Sequence, residues 1–151
     1  MSDALSIKFY EDAALTTPLE RLHLSGVEGR FADSNKVIYL GSPDSDRKWV
    51  DANGNSAIYL YGEFDWDGWN RANPGAIYGP PSLSSAEILF CLAEDYAPGD
   101  EDLFSGQLPL PGMIQGGVGN AIAINVALRS WTHGSLDYFR IYTDLLEELN
   151  A

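Results

Sequence analysis

Alternation of apolar and polar residues, more than helical spacing, organises this chain. Leu5, Ile7 and Phe9 alternate with Ser6, Lys8 and Tyr10, the period of two expected of a strand with one buried face. Glu11-Asp12-Ala13-Ala14 breaks that pattern with turn chemistry, and Pro18, which has no N–H to give to a ladder, makes residues 16–19 an edge segment or a strand beginning. Residues 23–31 mix Leu24, Val27 and Phe31 with Gly26 and Gly29, which suits a bent or bulged strand. Residues 36–41, rich in β-branched and aromatic side chains, read as a strand closed by the turn formers of residues 42–46.

Residues 47–51 and 57–64 flank Asn53-Gly54, the dipeptide that most readily takes positive φ at both centres of a type I′ turn, so a β-hairpin is expected there. Ile58 and Leu60 would face one way, Tyr59 and Tyr61 the other. Residues 65–85 read as a long connection anchored by Trp66, Trp69, Ile77 and Tyr78. Residues 86–93 form a short, continuous apolar run, expected of a strand buried on both faces. Residues 96–119, with Leu108-Pro109-Leu110-Pro111-Gly112, read as a second long loop. Residues 120–130 place Ile122, Ile124, Val126 and Leu128 on one face of a core strand and small or polar residues opposite. Over residues 135–150, Leu136, Phe139, Tyr142, Leu145 or Leu146, and Leu149 fall at helical spacing, while residues 138–143 favour a strand. The expectation is a strand through Tyr142 and then a short C-terminal helix, capped by Asp144 with Glu147 three residues on. Together these elements predict a single all-β domain over 1–151, an antiparallel sandwich with a jelly-roll or barrel-like variant possible.

Composition narrows the functional classes. The chain has 151 residues, with 22 acidic against nine basic ones, a formal charge of −13. A phosphate backbone would meet net repulsion and no basic cluster, which argues against nucleic-acid binding. No stretch approaches the roughly 20 apolar residues of a membrane span, and the opening Met-Ser-Asp-Ala-Leu has neither the basic region nor the apolar stretch of an export signal. Cys91 is the only cysteine; flanked by apolar residues and by the acids Glu87, Glu94 and Asp95, it reads as a small buried hydrophobe and not a reactive thiol.

Catalytic and cofactor motifs are missing. His23 and His133 lie far apart, no Cys-x-x-Cys or Gly-x-Ser-x-Gly spacing occurs, and Gly116-Gly117-Val118-Gly119-Asn120 precedes a strand where a phosphate cradle needs a helix. No enzyme, no cofactor and no metal is therefore expected. Two acidic sets resemble incomplete calcium loops, Asp65 with Asp67 and Asn70, and Asp51 with Asn53 and Asn55, the second being accounted for by its turn. Trp66 and Trp69 with Asp65 and Asp67 could instead form a sugar platform, aromatic faces for the ring and carboxylates for hydroxyls. That is the alternative function, a carbohydrate- or receptor-binding module.

Phe9-Tyr10-x-Asp12-x-Ala14-Leu15-Thr16-Thr17-Pro18 resembles an opening found in small virion proteins of tailed bacteriophages, where a strand ending in this pattern starts an immunoglobulin-like β-sandwich. Val37-Ile38-Tyr39-Leu40-Gly41-Ser42 is similar to the next strand of such chains. The resemblance implies a non-enzymatic structural protein, made in the host cytoplasm and carried in the virion, that binds other capsid or tail subunits as a decoration, cement, collar or tail component, in repeated copies around a symmetric assembly. The −13 charge would place it on the outer surface, away from packaged DNA. Exposed edges and long loops supply pairing groups and apolar anchors. On that basis the candidate contact residues are Thr16, Thr17, Pro18 and Leu19, then Leu108, Pro109, Leu110 and Pro111, then Tyr138, Phe139, Tyr142, Leu146 and Leu149.

Overall fold

The computed structural model describes residues 7–19, 24–26, 30–31, 36–64, 70–75, 87–96, 104–130, 134–136 and 139–151. Among these the regular structure is nearly all strand, and every pairing is antiparallel. The all-β expectation holds.

The largest sheet is built on the nine-residue strand β10 (Ile122–Ser130). On one side β10 pairs with β4 (Lys36–Gly41) and, at its end, with β3 (Arg30–Phe31); on the other it pairs with β7 (Glu87–Leu92). Ile124 thus lies between Ile38 and Leu92. β1 (Lys8–Tyr10) adds to the far side of β4, with Phe9 opposite Leu40. Ile124 to Ala127 in β10 and Ile88 to Cys91 in β7 are buried on both faces, which is why β7 reads as a continuous apolar run and not as an alternation. β2 (Leu24–Gly26) and β11 (Gly134–Leu136) form a separate pair.

The remaining strands form two three-stranded sheets with the same order. β6 (Ala57–Phe64) lies between β12 (Phe139–Thr143) and β8 (Gln107–Pro111). β5 (Arg47–Asp51) lies between β13 (Leu146–Asn150) and β9 (Met113–Gln115). Each of three chain segments contributes one strand to each sheet, so all three change sheet together: at residues 52–56, at Gly112, and at Asp144-Leu145. The Ala52 N–H donates to the Leu145 carbonyl across this corner at 2.8 Å. Gly112 is required there, because a Cβ on it would lie 2.5 Å from the Ser56 carbonyl oxygen.

This arrangement corrects three expectations. β5 and β6 do not pair with each other, so they are not a hairpin: Gly54 has φ +77° but Asn53 does not share it, and a type I′ turn needs both. Instead the Gly54 N–H bonds the Asp51 carbonyl at 3.0 Å, and the Asp51 carboxylate accepts the Asn53 and Asn55 N–H groups at 3.1 and 2.9 Å, an Asx turn that carries the chain out of one sheet and into the next. The expected C-terminal helix is β13, five ladder positions against β5. Asp144 caps no helix, because its carboxylate is taken by Tyr59 and Tyr61. The second long loop contains β8 and β9; Pro109 and Pro111 sit on β8, an edge strand among the described residues, the place where a missing N–H costs no ladder bond.

The core lies between the large sheet and the paired small ones. Ile38, Leu40, Phe90, Ile124 and Val126 from one side meet Ile58, Leu60, Leu108, Leu110 and Ile114 from the other. Ile58 pairs with Leu110 and Leu60 with Leu108, so β6 alternates as its sequence predicts. A Cβ on Gly62 would come within 2.9 Å of Ile88; glycine there lets β7 pack closely on β6. Trp49 is fully buried and its indole N–H donates to Glu148 on β13 at 3.1 Å, which satisfies the polar atom of the largest core side chain among the described residues.

Candidate functional site

The segment from Tyr10 to Leu19 folds into a compact edge loop whose every unusual residue has a task. The Asp12 carboxylate accepts the Thr16 N–H and the Thr17 N–H, each at 3.0 Å, and the Thr16 hydroxyl. The Thr16 hydroxyl, foremost, and these backbone donors hold the Asp12 carboxyl below its usual value, because they favour the charged form. Leu15 takes a left-handed φ of 56° yet is only 4% exposed, its side chain packed beside Gly41. Thr17 accepts the Glu11 N–H and Leu19 donates to the Phe9 carbonyl, both at 2.9 Å. Tyr10 and Pro18 are bridge partners, so residues 17–19 lie along the outer side of β1 and end the sheet with a proline. Thr16, Thr17 and Pro18 are exposed, while Leu19 packs partly on the core.

A second feature lies where β1 faces the corner between β12 and β13. A hollow of about 330 Å³ opens there, with Ile7, Lys8 and Phe9 on one bank, residues 142–146 on the other, and buried Leu40 contributing from β4. Leu145, on its rim, is 72% exposed. Beside it the outer face of β6 and β12 is aromatic: Tyr61 and Tyr142, opposite each other in the ladder, stack at 5.3 Å with an interplanar angle of 21°, and Tyr59 and Tyr142 are exposed. The Tyr61 hydroxyl donates to Asp144 at 2.8 Å; this bond, first, together with burial and the nearby negative charge, raises the phenol above its usual value.

The expected contact residues divide accordingly. Tyr142 and Leu146 line the hollow, opposite the start of the segment that carries Thr16 to Leu19. Leu108 and Leu110 point into the core, leaving Pro109 and Pro111 as the solvent-facing residues of that run. Leu149 is half-buried on β13. Phe139 begins β12, with its side chain outside the described set, and Tyr138 lies outside the described residues. So do Asp65, Trp66, Asp67 and Trp69, the sugar-platform and first calcium-loop candidates.

Among the described residues no three His, Cys, Asp or Glu side chains gather as a metal site would require. In the Asp51, Asn53, Asn55 set, one carboxylate oxygen of Asp51 is taken by loop N–H groups and the other is buried without a hydrogen-bond partner. Cys91 is buried, its thiol directed at the Leu92 carbonyl. No helix of the described residues is long and apolar enough to cross a membrane.

Sequence reading missed Leu145, Asp144 and Tyr59 as surface features. Helical spacing offered Leu145 and Leu146 as equivalents, whereas a strand register separates them: Leu146 packs partly on the core and Leu145 stands out at the corner. Compared with protein-family models, with curated proteins and with solved structures, the chain finds no match in any of the three.

Proposed function

We propose that this chain is a non-enzymatic structural protein of a bacteriophage virion, an immunoglobulin-like β-sandwich variant that binds other capsid or tail subunits on the outer face of the particle, in repeated copies. One observation carries the reading. The two segments that resemble the phage proteins are hydrogen-bonded neighbours: β1 pairs with β4 through Lys8 with Gly41, Phe9 with Leu40 and Tyr10 with Tyr39, and Leu15 of the first packs beside Gly41 of the second. Pieces separated by a variable stretch in sequence thus form one sheet edge, ended by Thr17 and Pro18. A resemblance spread over two such segments has more weight when they form one unit. The charge of −13 supports an outer position, where packaged DNA is distant.

Quantitative mass spectrometry of purified particles tests this. The chain should appear at a fixed copy number relative to the major capsid or tail protein, and antibody against it should label intact particles. Absence from particles, or a copy number that falls with further purification, overturns the reading.

A further inference from the structure

We propose that two copies of this chain associate about a two-fold axis through the hollow between β1 and the β12–β13 corner, each placing Leu145 in the hollow of the other. The proposal deepens the repeated-copy reading by naming the contact. It rests on that reading only for the expectation that copies meet.

Three observations point to a second copy as the occupant. The hollow is lined mainly by apolar groups, Ile7, Phe9, Leu40, Tyr142 and Leu146, which fit an aliphatic side chain better than a sugar, whose hydroxyls need free polar partners. Next, the most exposed large hydrophobe among the described residues, Leu145 at 72%, stands on the rim of that same hollow. A knob beside its own hole is what an isologous contact requires, because the same patch must serve both partners. A two-fold axis through the hollow carries Leu145 of the second copy from its β13 bank to the β1 bank of the first, against Ile7 and Phe9.

The rim charges obey the same symmetry. Lys8 lies on one bank and Asp144 on the other, so the rotation that exchanges the banks sets Lys8 of each copy toward Asp144 of its mate. In a chain with nine basic residues and 22 acidic ones, a patch that offers a cation opposite an anion is where self-contact meets least repulsion. The exposed ring of Tyr142 adjoins the contact and extends its apolar area.

Sedimentation equilibrium of the purified full chain at about 0.15 M salt tests the contact, with Leu145→Glu and Lys8→Glu as variants. Both side chains are exposed, and thermal melts confirm that the variants fold. The wild type should show a concentration-dependent dimer. L145E should weaken it by at least about thirtyfold, the loss typical of a central anchor, and K8E by a smaller factor. A wild type that stays monomeric up to about 0.5 mM, a range that would still reveal weak association, overturns the proposal, as does L145E dimerising like the wild type. A chain that dimerises through Leu145 but is missing from particles sinks the virion reading alone. One that is present in particles but monomeric in solution sinks this contact alone.

Discussion

The hydroxyl of Tyr61 donates to a carboxylate oxygen of Asp144 at 2.8 Å, beside the corner at which three strands change sheet together. The second oxygen takes the Tyr59 N–H at 3.0 Å, and the Asp144 N–H reaches the Tyr59 carbonyl. One side chain thereby joins β6 to the link between β12 and β13. Replacing it by alanine should lower stability by about 1–2 kcal/mol, since it removes bonds to a charged acceptor; urea unfolding of D144A against wild type measures this.

The same bond gives an alkaline signature. Tyr61 has its folded-state value raised above the usual 10.0 by Asp144, so the stabilisation is fully present below about pH 10 and is lost as pH rises through the raised value. Ultraviolet titration of the phenols should therefore lose, in Tyr61→Phe, a component that titrates above the usual phenol range, and the stability gap between the two proteins should narrow above pH 10. A gap that widens with alkali would contradict the assignment.

Acid should act on the edge loop. The Asp12 carboxyl is held below its usual 3.8, chiefly by the Thr16 hydroxyl. Its contribution is present above about pH 4 and lost as pH falls through the lowered folded-state value. Wild type and Asp12→Asn should differ in melting temperature at pH 7 and converge at low pH. Thr16→Val should reproduce part of the pH 7 loss.

Leu15 combines buried packing with a left-handed backbone, which costs an L-residue about 1–2 kcal/mol and glycine almost nothing. Leu15→Ala keeps the strain and loses the packing, a cost of about 2–5 kcal/mol. Leu15→Gly loses slightly more packing but relieves the strain. Denaturant melts should therefore rank the glycine variant at or above the alanine variant, the reverse of the order in a strand or helix.

Two glycines in one loop form a controlled pair. A Cβ on Gly116 would lie 1.9 Å from the Asp44 carbonyl oxygen, where the Gly116 N–H already bonds the Arg47 carbonyl at 2.8 Å, while a Cβ on Gly119 would touch nothing. G116A must displace backbone and should cost more than about 3 kcal/mol, against about 0.5 kcal/mol or less for G119A. Equal melting temperatures would show that the two loops can separate freely.

What the sequence made legible follows from how local each signal is. β4, β7 and β10 were readable because alternation and unbroken apolar runs report burial directly. Residues 16–19 were readable as an edge because proline's missing N–H acts on the strand that contains it. Asn53-Gly54 misled because the dipeptide reports only that the chain turns. Whether the flanking strands then pair is decided by β8, β9, β12 and β13, which lie far off in sequence. The C-terminal segment misled for a related reason: Leu146 and Leu149 satisfy a helical period, yet a ladder against β5 also covers Trp49, a gain that no local propensity records. The hollow was invisible because its banks, residues 7–9 and 142–146, meet only in the folded chain.

The corner shared by three strands also sets how the protein carries load. β13 is the outermost strand of its sheet among the described residues and runs antiparallel to β5, so tension on Ala151 opens that ladder one residue at a time, beginning with Asn150 and Arg47. Peeling breaks the bond from the Trp49 indole to Glu148 and lifts Leu146 from the core before it reaches Asp144, where the links to Tyr59 and Tyr61 must break together. The corner is thus a mechanical stop: a pull on the C-terminus yields a short tether of released strand while the sheets beyond it stay closed.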